Sequence, residues 1–191
     1  MGLEFELKYR ATPEIQKNLA KTGHWHSISM ETTYYDIPSK GLSQRRYTLR
    51  RRLENGTSVC TLKAPAGDIA RGEWETECGS IEAAIPELCK LGCPEELLSL
   101  TKGGLIHICG AKFTRHALTL DQGGCTLEIA LDEGLLLGGG KELPLCEVEV
   151  ELKSGTDADA LAFAQILARR FALRPEPKSK YLRALELAAQ K

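Results

Sequence analysis

A chain of 191 residues with 42% hydrophobic and 27% charged residues is long enough to bury a core and too apolar for wholesale disorder, so one globular domain over residues 1–191 is expected. Its 25 Lys and Arg against 26 Asp and Glu leave a formal net charge of -1, which excludes bulk attraction to nucleic acid or an anionic membrane. The sequence opens on a charged strand pattern in place of a basic and apolar leader, and no run approaches bilayer length, so a cytoplasmic location is expected.

Residues 4–8, Glu-Phe-Glu-Leu-Lys, alternate strictly, and as a strand they put Glu4, Glu6 and Lys8 on one face and Phe5 and Leu7 on the other. Thr12, Pro13 and Glu14 make a helix start, with Thr12 as N-cap, and the helix should run to about Lys21. A β-rich run over 27–36 contains Tyr34, Tyr35 and Asp36 and is stopped by Pro38 and Gly41. The strand predicted over 47–53 sets Thr48, Arg50 and Arg52 opposite Leu49, Arg51 and Leu53, and Asn55-Gly56 turns the chain into a return strand over 58–63, with Thr61 and Lys63 on one face. Another strand over 71–76 aligns Arg71, Glu73 and Glu75.

Helices are predicted over 80–90 and 94–100, then a hairpin of strands over 112–121 and 125–132 that carries Arg115 in one arm and Glu128 in the other. The strongest alternation lies at 146–153, with Glu147, Glu149 and Glu151 on one face and Val148, Val150 and Leu152 on the other. Three neighbouring carboxylates repel one another unless cations lie between them. Thr156 to Asp159 reads as a capping box for a helix ending near Phe171, and Lys178-Ser179-Lys180-Tyr181 leads into a short last helix. The seven cysteines lack the short paired spacings of a zinc or redox motif and are expected to be reduced, mostly buried side chains.

Charges on one face of nearly every strand describe an antiparallel sheet closing on itself around a polar lining, with apolar faces turned outward under helices. A lattice of structural salt bridges is one reading of such a lining. The other is a ligand suited to both signs. The carboxylates of Glu4, Glu6, Glu147, Glu149 and Glu151 suit a hard divalent cation, Mg²⁺ or Mn²⁺, whereas Lys8, Arg50, Arg52, Lys63 and Arg115 suit phosphate oxygens. Together they describe a site for a metal polyphosphate.

The opening Glu4-x-Glu6-x-Lys8 resembles the signature of the CYTH superfamily, the triphosphate tunnel metalloenzymes. The likeness continues in order through Tyr34-Tyr35-Asp36, Leu49-Arg50-Arg51-Arg52, Thr61-Leu62-Lys63, Arg71-x-Glu73, the block 127–134, Glu147-x-Glu149-x-Glu151 and Lys178-Ser179-Lys180. It implies an α+β, mainly β fold built on a closed eight-stranded antiparallel barrel with helices packed outside, dependence on Mg²⁺ or Mn²⁺, and substrates ending in triphosphate. Bacterial inorganic triphosphatases are the most similar branch. Many of them carry a further C-terminal helical CHAD domain, and none is expected within residues 1–191. Arg51 departs from the apolar residue usual between the paired arginines, and its packing is left open.

The resemblance implies that Glu4, Glu6, Glu147, Glu149 and Glu151 hold metal and that Lys8, Arg50, Arg52, Lys63, Arg115, Lys178 and Lys180 grip phosphate. Lys8, Arg52, Glu149 and Glu151 are the candidate catalytic residues, one of the two glutamates orienting or deprotonating water. Arg71, Glu73, Glu75, Glu128 and Asp132 are expected to line the tunnel and pair with these bases. The expected reaction converts inorganic triphosphate to pyrophosphate and phosphate. A class IV adenylate cyclase, a thiamine or nucleoside triphosphatase and a non-catalytic polyphosphate-binding module are the alternatives, and the oligomeric state is left open.

Overall fold

A computed structural model describes residues 2–3, 5–66 and 70–190, with side chains over 5–65 and 72–190. Glu4 lies outside the described residues, as does the side chain of Arg71. The elements are β1 (Gly2–Leu3), β2 (Glu6–Arg10), α1 (Pro13–Leu19) with a 3-10 turn after it, β3 (His26–Asp36), α2 (Gly41–Gln44), β4 (Thr48–Glu54), β5 (Thr57–Ala66), β6 (Ala70–Glu77), α3 (Ile81–Lys90), α4 (Glu96–Thr101), β7 (Ile106–Gln122), β8 (Cys125–Gly138), β9 (Lys141–Ser154), α5 (Asp157–Phe171), β10 (Arg174–Pro175) and α6 (Lys180–Ala189). The predicted caps Thr12 and Thr156 are present, and Ser80 and Ser179 cap α3 and α6 in the same way: each of the four accepts a hydrogen bond from a backbone N–H in the first turn of its helix.

The strands after residue 105 are longer than the alternation predicts. Residues 135–137 are three consecutive leucines, and a continuous apolar run gives no period-2 signal. There β8 is covered by α6, which approaches so closely that a Cβ on Gly138 would meet the Ala184 carbonyl oxygen and the Ala188 nitrogen. Only glycine lets helix and strand backbones come together in this way.

All pairings are antiparallel, in the order β1-β6-β5-β4-β3-β7-β8-β9-β2-β10. The closed eight-stranded barrel is therefore corrected: the fold is mainly β and the ladder antiparallel as expected, but among the described residues it has ten strands and two ends. The N-terminal run is divided between distant parts of it, Gly2–Leu3 pairing with β6 and Glu6–Arg10 with β9. Strand alternation gives the face of a residue and says nothing about closure, which depends on how the ends meet. The sheet curls instead of lying flat, since side chains from β2 through β9 line one cavity.

Two apolar clusters lie on the convex side. One joins Leu49, Leu62 and Trp74 to Ile81, Leu88 and Leu97 of α3 and α4, and the other joins Tyr9, Leu127, Val148 and Val150 to Ala160 and Ala164 of α5. The third cluster is on the concave side, where Met30, Tyr34, Phe113, Leu136 and Leu145 pack with Ala184 of α6. The expectation that every helix packs outside is corrected by α6, which seats itself within the curl. Arg51 also finds its explanation on the convex face, where its Nε donates to Ser58 Oγ at 2.8 Å and that hydroxyl donates to the Cys78 carbonyl at 2.6 Å.

Candidate active site

The concave face encloses a cavity of about 610 Å³ lined by charged side chains from opposite walls and by the start of α6. Cross-strand register builds the acidic wall. Glu6 on β2 pairs with Glu151 on β9, which pairs with Glu128 on β8, so three carboxylates stand in one row across three strands. The next row inward holds Lys8 opposite Glu149, and the third holds Glu147 opposite Asp132, itself opposite Arg115 on β7. Rows of like charge are unfavourable in a sheet unless a cation intervenes. Lys153 partly supplies one, its Nζ lying 2.8 Å from Glu151 and 3.7 Å from Glu128.

The basic wall comes from β4 and β5. Arg50 Nη2 and Lys63 Nζ share Glu73, at 3.6 and 3.5 Å, and Arg52 Nη2 lies 2.7 Å from Glu54. Burial and the neighbouring Arg50 push the Arg52 pKa below the usual arginine range. Arg52 Nε is buried and makes no hydrogen bond among the described residues. Two adjacent guanidiniums with one such unmet donor form a site short of negative charge, which phosphate oxygens would supply in fork geometry.

At the inner end the charges are buried. Arg115 makes a bidentate contact with Asp132 at 2.8 and 2.7 Å and also bonds Glu149. Lys180 of α6 reaches Asp132 at 2.7 Å, Glu149 at 2.6 Å and Glu147. Arg183, one turn along α6, bonds Glu147, and Glu176 accepts from Arg10 Nε at 2.7 Å. Burial alone would raise the Glu149 carboxyl, but Lys180 and Arg115 hold it well below the usual range. Glu147 goes the other way, its pKa raised by burial despite Lys180. Burial disfavours the charged form of Lys180, yet Asp132, Glu149 and Glu147 outweigh it and keep the amine protonated above its ordinary range.

Both acidic groupings offer oxygen ligands only, the donor set preferred by Mg²⁺ and Mn²⁺. Asp132, Glu147 and Glu149 each present a carboxylate oxygen, all within 4.8 Å of one another, close enough to hold a metal. Glu6, Glu128 and Glu151 face the cavity directly.

Most of the residues expected at the site line this one cavity: Glu6, Lys8, Arg50, Arg52, Lys63, Arg115, Glu149, Glu151 and Lys180. Glu4 lies outside the described residues. Glu147 is fully buried behind Lys180 and Arg183 and contributes no cavity surface. Lys178 is not among the residues that line the cavity: its Nζ bonds both carboxylate oxygens of Glu186 at 2.8 Å. Sequence reasoning missed Lys153, which continues the parity of residues 147, 149 and 151, and Arg183, which lies three residues after Lys180 on the same side of a helix. Glu176 and Arg10 gave no sequence signal.

A CYTH domain profile matches residues 2–185. The inorganic triphosphatase of Haemophilus influenzae is 30% identical over 173 residues, 86% of this chain, and the chain spans about half of that relative, 49% of its length. Among solved structures, the PH1819 protein of Pyrococcus horikoshii OT3 superposes with a TM-score of 0.66 at 24% identity, covering 98% of this chain and 99% of its own. HpAC1 from Hippeastrum, named for adenylyl cyclase and described as having a dominant triphosphatase activity, gives a TM-score of 0.62 at 16% identity over 96% of this chain and 95% of its own. The structural likenesses carry the fold, and the profile match across nearly the whole described chain carries the family: this protein belongs to the CYTH family.

Proposed function

We propose that the chain is a divalent-metal-dependent triphosphatase that hydrolyses inorganic triphosphate to pyrophosphate and phosphate in the concave cavity. The observation that carries this reading is the apposition of a three-carboxylate row, Glu6, Glu151 and Glu128, with a wall bearing Arg50, Arg52 and Lys63 around one cavity of about 610 Å³. Triphosphatase activity in the Haemophilus influenzae relative supports the same reading.

Arg50 and Arg52 grip terminal phosphate oxygens as planar forks, while Lys8, Lys63, Arg115 and Lys180 add charge along the chain of phosphates. Mg²⁺ or Mn²⁺, when bound, supplies Lewis-acid polarisation and charge neutralisation. Glu6 and Glu151, with Glu4, Glu147 and Glu149 as the remaining carboxylates of the expected set and Glu128 completing the row, would hold it. Of the two candidates for positioning the attacking water, Glu151 suits the role better than Glu149. Glu149 is bound to both Arg115 and Lys180 and its low pKa makes it a poor proton acceptor, whereas Glu151 is partly exposed to the cavity.

Ile28, Met30 and Phe113 give part of the cavity an apolar edge, which favours an organic triphosphate as the second reading. Phosphate release from triphosphate, ATP and thiamine triphosphate, each with Mg²⁺ and with Mn²⁺, separates the readings. The expected order places inorganic triphosphate first. Tight triphosphate binding with no release under either metal would sink the enzymatic reading in favour of a binding module.

A further inference from the structure

The Asp132, Glu147 and Glu149 carboxylates that lie within metal-binding distance of one another share one cation already, the Lys180 ammonium. The ammonium reaches all three, and it also sits 5.3 Å from the centroid of the Phe113 ring. The surrounding charges balance: Asp132, Glu147, Glu149 and Glu176 face Arg10, Arg115, Lys180 and Arg183. A divalent ion on the same oxygens would meet the ammonium at contact distance, so the two cannot hold the triad together. Lys180 also lines the cavity, beside Ser179 and Tyr181, and its stem is long enough for the amine to turn from the carboxylates toward a bound anion.

We infer that Lys180 is an internal, displaceable counter-ion of the Asp132, Glu147 and Glu149 triad, exchanging with a divalent metal there and turning its ammonium to the phosphate when displaced. This rests on the metal-dependent reading above. The exchange puts two positive charges where one stood and leaves the amine at the cavity wall, so the inner end gains two units of positive charge for an anion. Metal and triphosphate therefore assist each other's binding, and the assistance is reciprocal. The lysine belongs to α6, so metal loading loosens one of the contacts that hold this helix in the curl. Arg183 on Glu147, the Tyr181 hydroxyl 2.8 Å from Ser43 Oγ and the Tyr181 ring beside Tyr34 remain to keep it seated.

Mn²⁺ binding followed by electron paramagnetic resonance tests the exchange without turnover. Lys180→Met removes the competing charge and retains much of the length and the apolar contact, so Mn²⁺ should bind more tightly, in the range of about 5- to 150-fold expected for coupled sites. Adding Glu147→Gln to that variant should abolish most of the gain. Hydrogen exchange across 180–189 reports whether α6 remains docked. If it does not, acetylation of the wild-type protein decides, with Lys180 expected to react faster in Mg²⁺ than in EDTA. Wild-type Mn²⁺ affinity that Lys180→Met leaves unchanged, with α6 docked, overturns the exchange, and so does Lys180 reactivity indifferent to Mg²⁺. Failure of wild type and every variant to bind Mn²⁺ overturns the metal reading itself.

Discussion

Two sets of glutamates and aspartates share the concave face, and depth separates them. The side chains of Glu6, Glu128 and Glu151 retain 18%, 21% and 27% exposure, whereas those of Asp132 and Glu147 have 0% and that of Glu149 has 9%. The exposed row reaches the cavity, with Lys8 against Glu6 and Lys153 against Glu128 and Glu151. The buried set is enclosed by Arg115, Lys180 and Arg183. One kind of side chain thus serves two ends: carboxylates open to solvent can give up a partner to water, whereas carboxylates out of water must have a cation in its place or lose several kcal/mol each.

Breaking the buried set should have the largest effect. Asp132→Ala leaves the bidentate Arg115 guanidinium and one Lys180 contact without their acceptor, and unfolding in urea should show a loss of about 3–5 kcal/mol. Glu128→Gln in the exposed row should cost less than about 1 kcal/mol in the same experiment. Equal losses would erase the distinction between the two sets.

The opposite wall should separate function from stability. Arg52→Met removes a guanidinium paired with the partly exposed Glu54, and triphosphate turnover should fall by about 100-fold with little change in the urea midpoint. A fall in stability with unaltered turnover would move Arg52 from the substrate wall to the structural framework. Glu151→Gln belongs to the same test and should weaken the Mg²⁺ or Mn²⁺ dependence of turnover more than folding.

The strand alternation at residues 48–52, 61–63 and 147–151 made the polar face legible, and Asn55-Gly56 and Gly123-Gly124 marked the hairpins, because both depend on local chemistry. Depth was not legible. Glu147 and Glu151 have the same parity on β9, yet one is beneath α6 and the other opens on the cavity, a difference set by where a helix 30 residues later folds back. The location of α6 was hidden for the same reason, since an amphipathic helix specifies an apolar face and leaves open which sheet surface receives it. Closure failed likewise, because β1 and β2 are one local run divided between non-local partners.

Acid should sharpen the contrast between two residues of the buried set. The pKa of Glu149 is depressed in the folded state, so its contribution is present above the unfolded value of about 4.3 and is lost as pH falls from there through the lower folded value. Glu147 has a raised folded pKa, so the folded state takes up its proton first and the stability change over that interval has the opposite sign. In urea midpoints measured from pH 6 downward, Glu149→Gln should flatten the acid loss and Glu147→Gln should steepen it, by no more than about 1.4 kcal/mol per pH unit for each proton. Identical acid slopes would show that the two carboxylates share one environment.

The smallest effect is expected where two lysines two residues apart are compared. Lys178 lies outside the cavity and bonds Glu186 at the surface, while Lys180 is buried among three carboxylates. Both belong to one Lys-Ser-Lys segment, but Ser179 caps α6 between them, so Lys178 precedes the helix and Lys180 begins it. Lys178→Ala should change stability by less than about 1 kcal/mol, because an exposed pair gains little over its hydrated ions, and should leave the KM for triphosphate at its wild-type value. A several-fold rise in KM would return Lys178 to the phosphate-binding set and mean that the segment before α6 approaches the substrate together with Lys180.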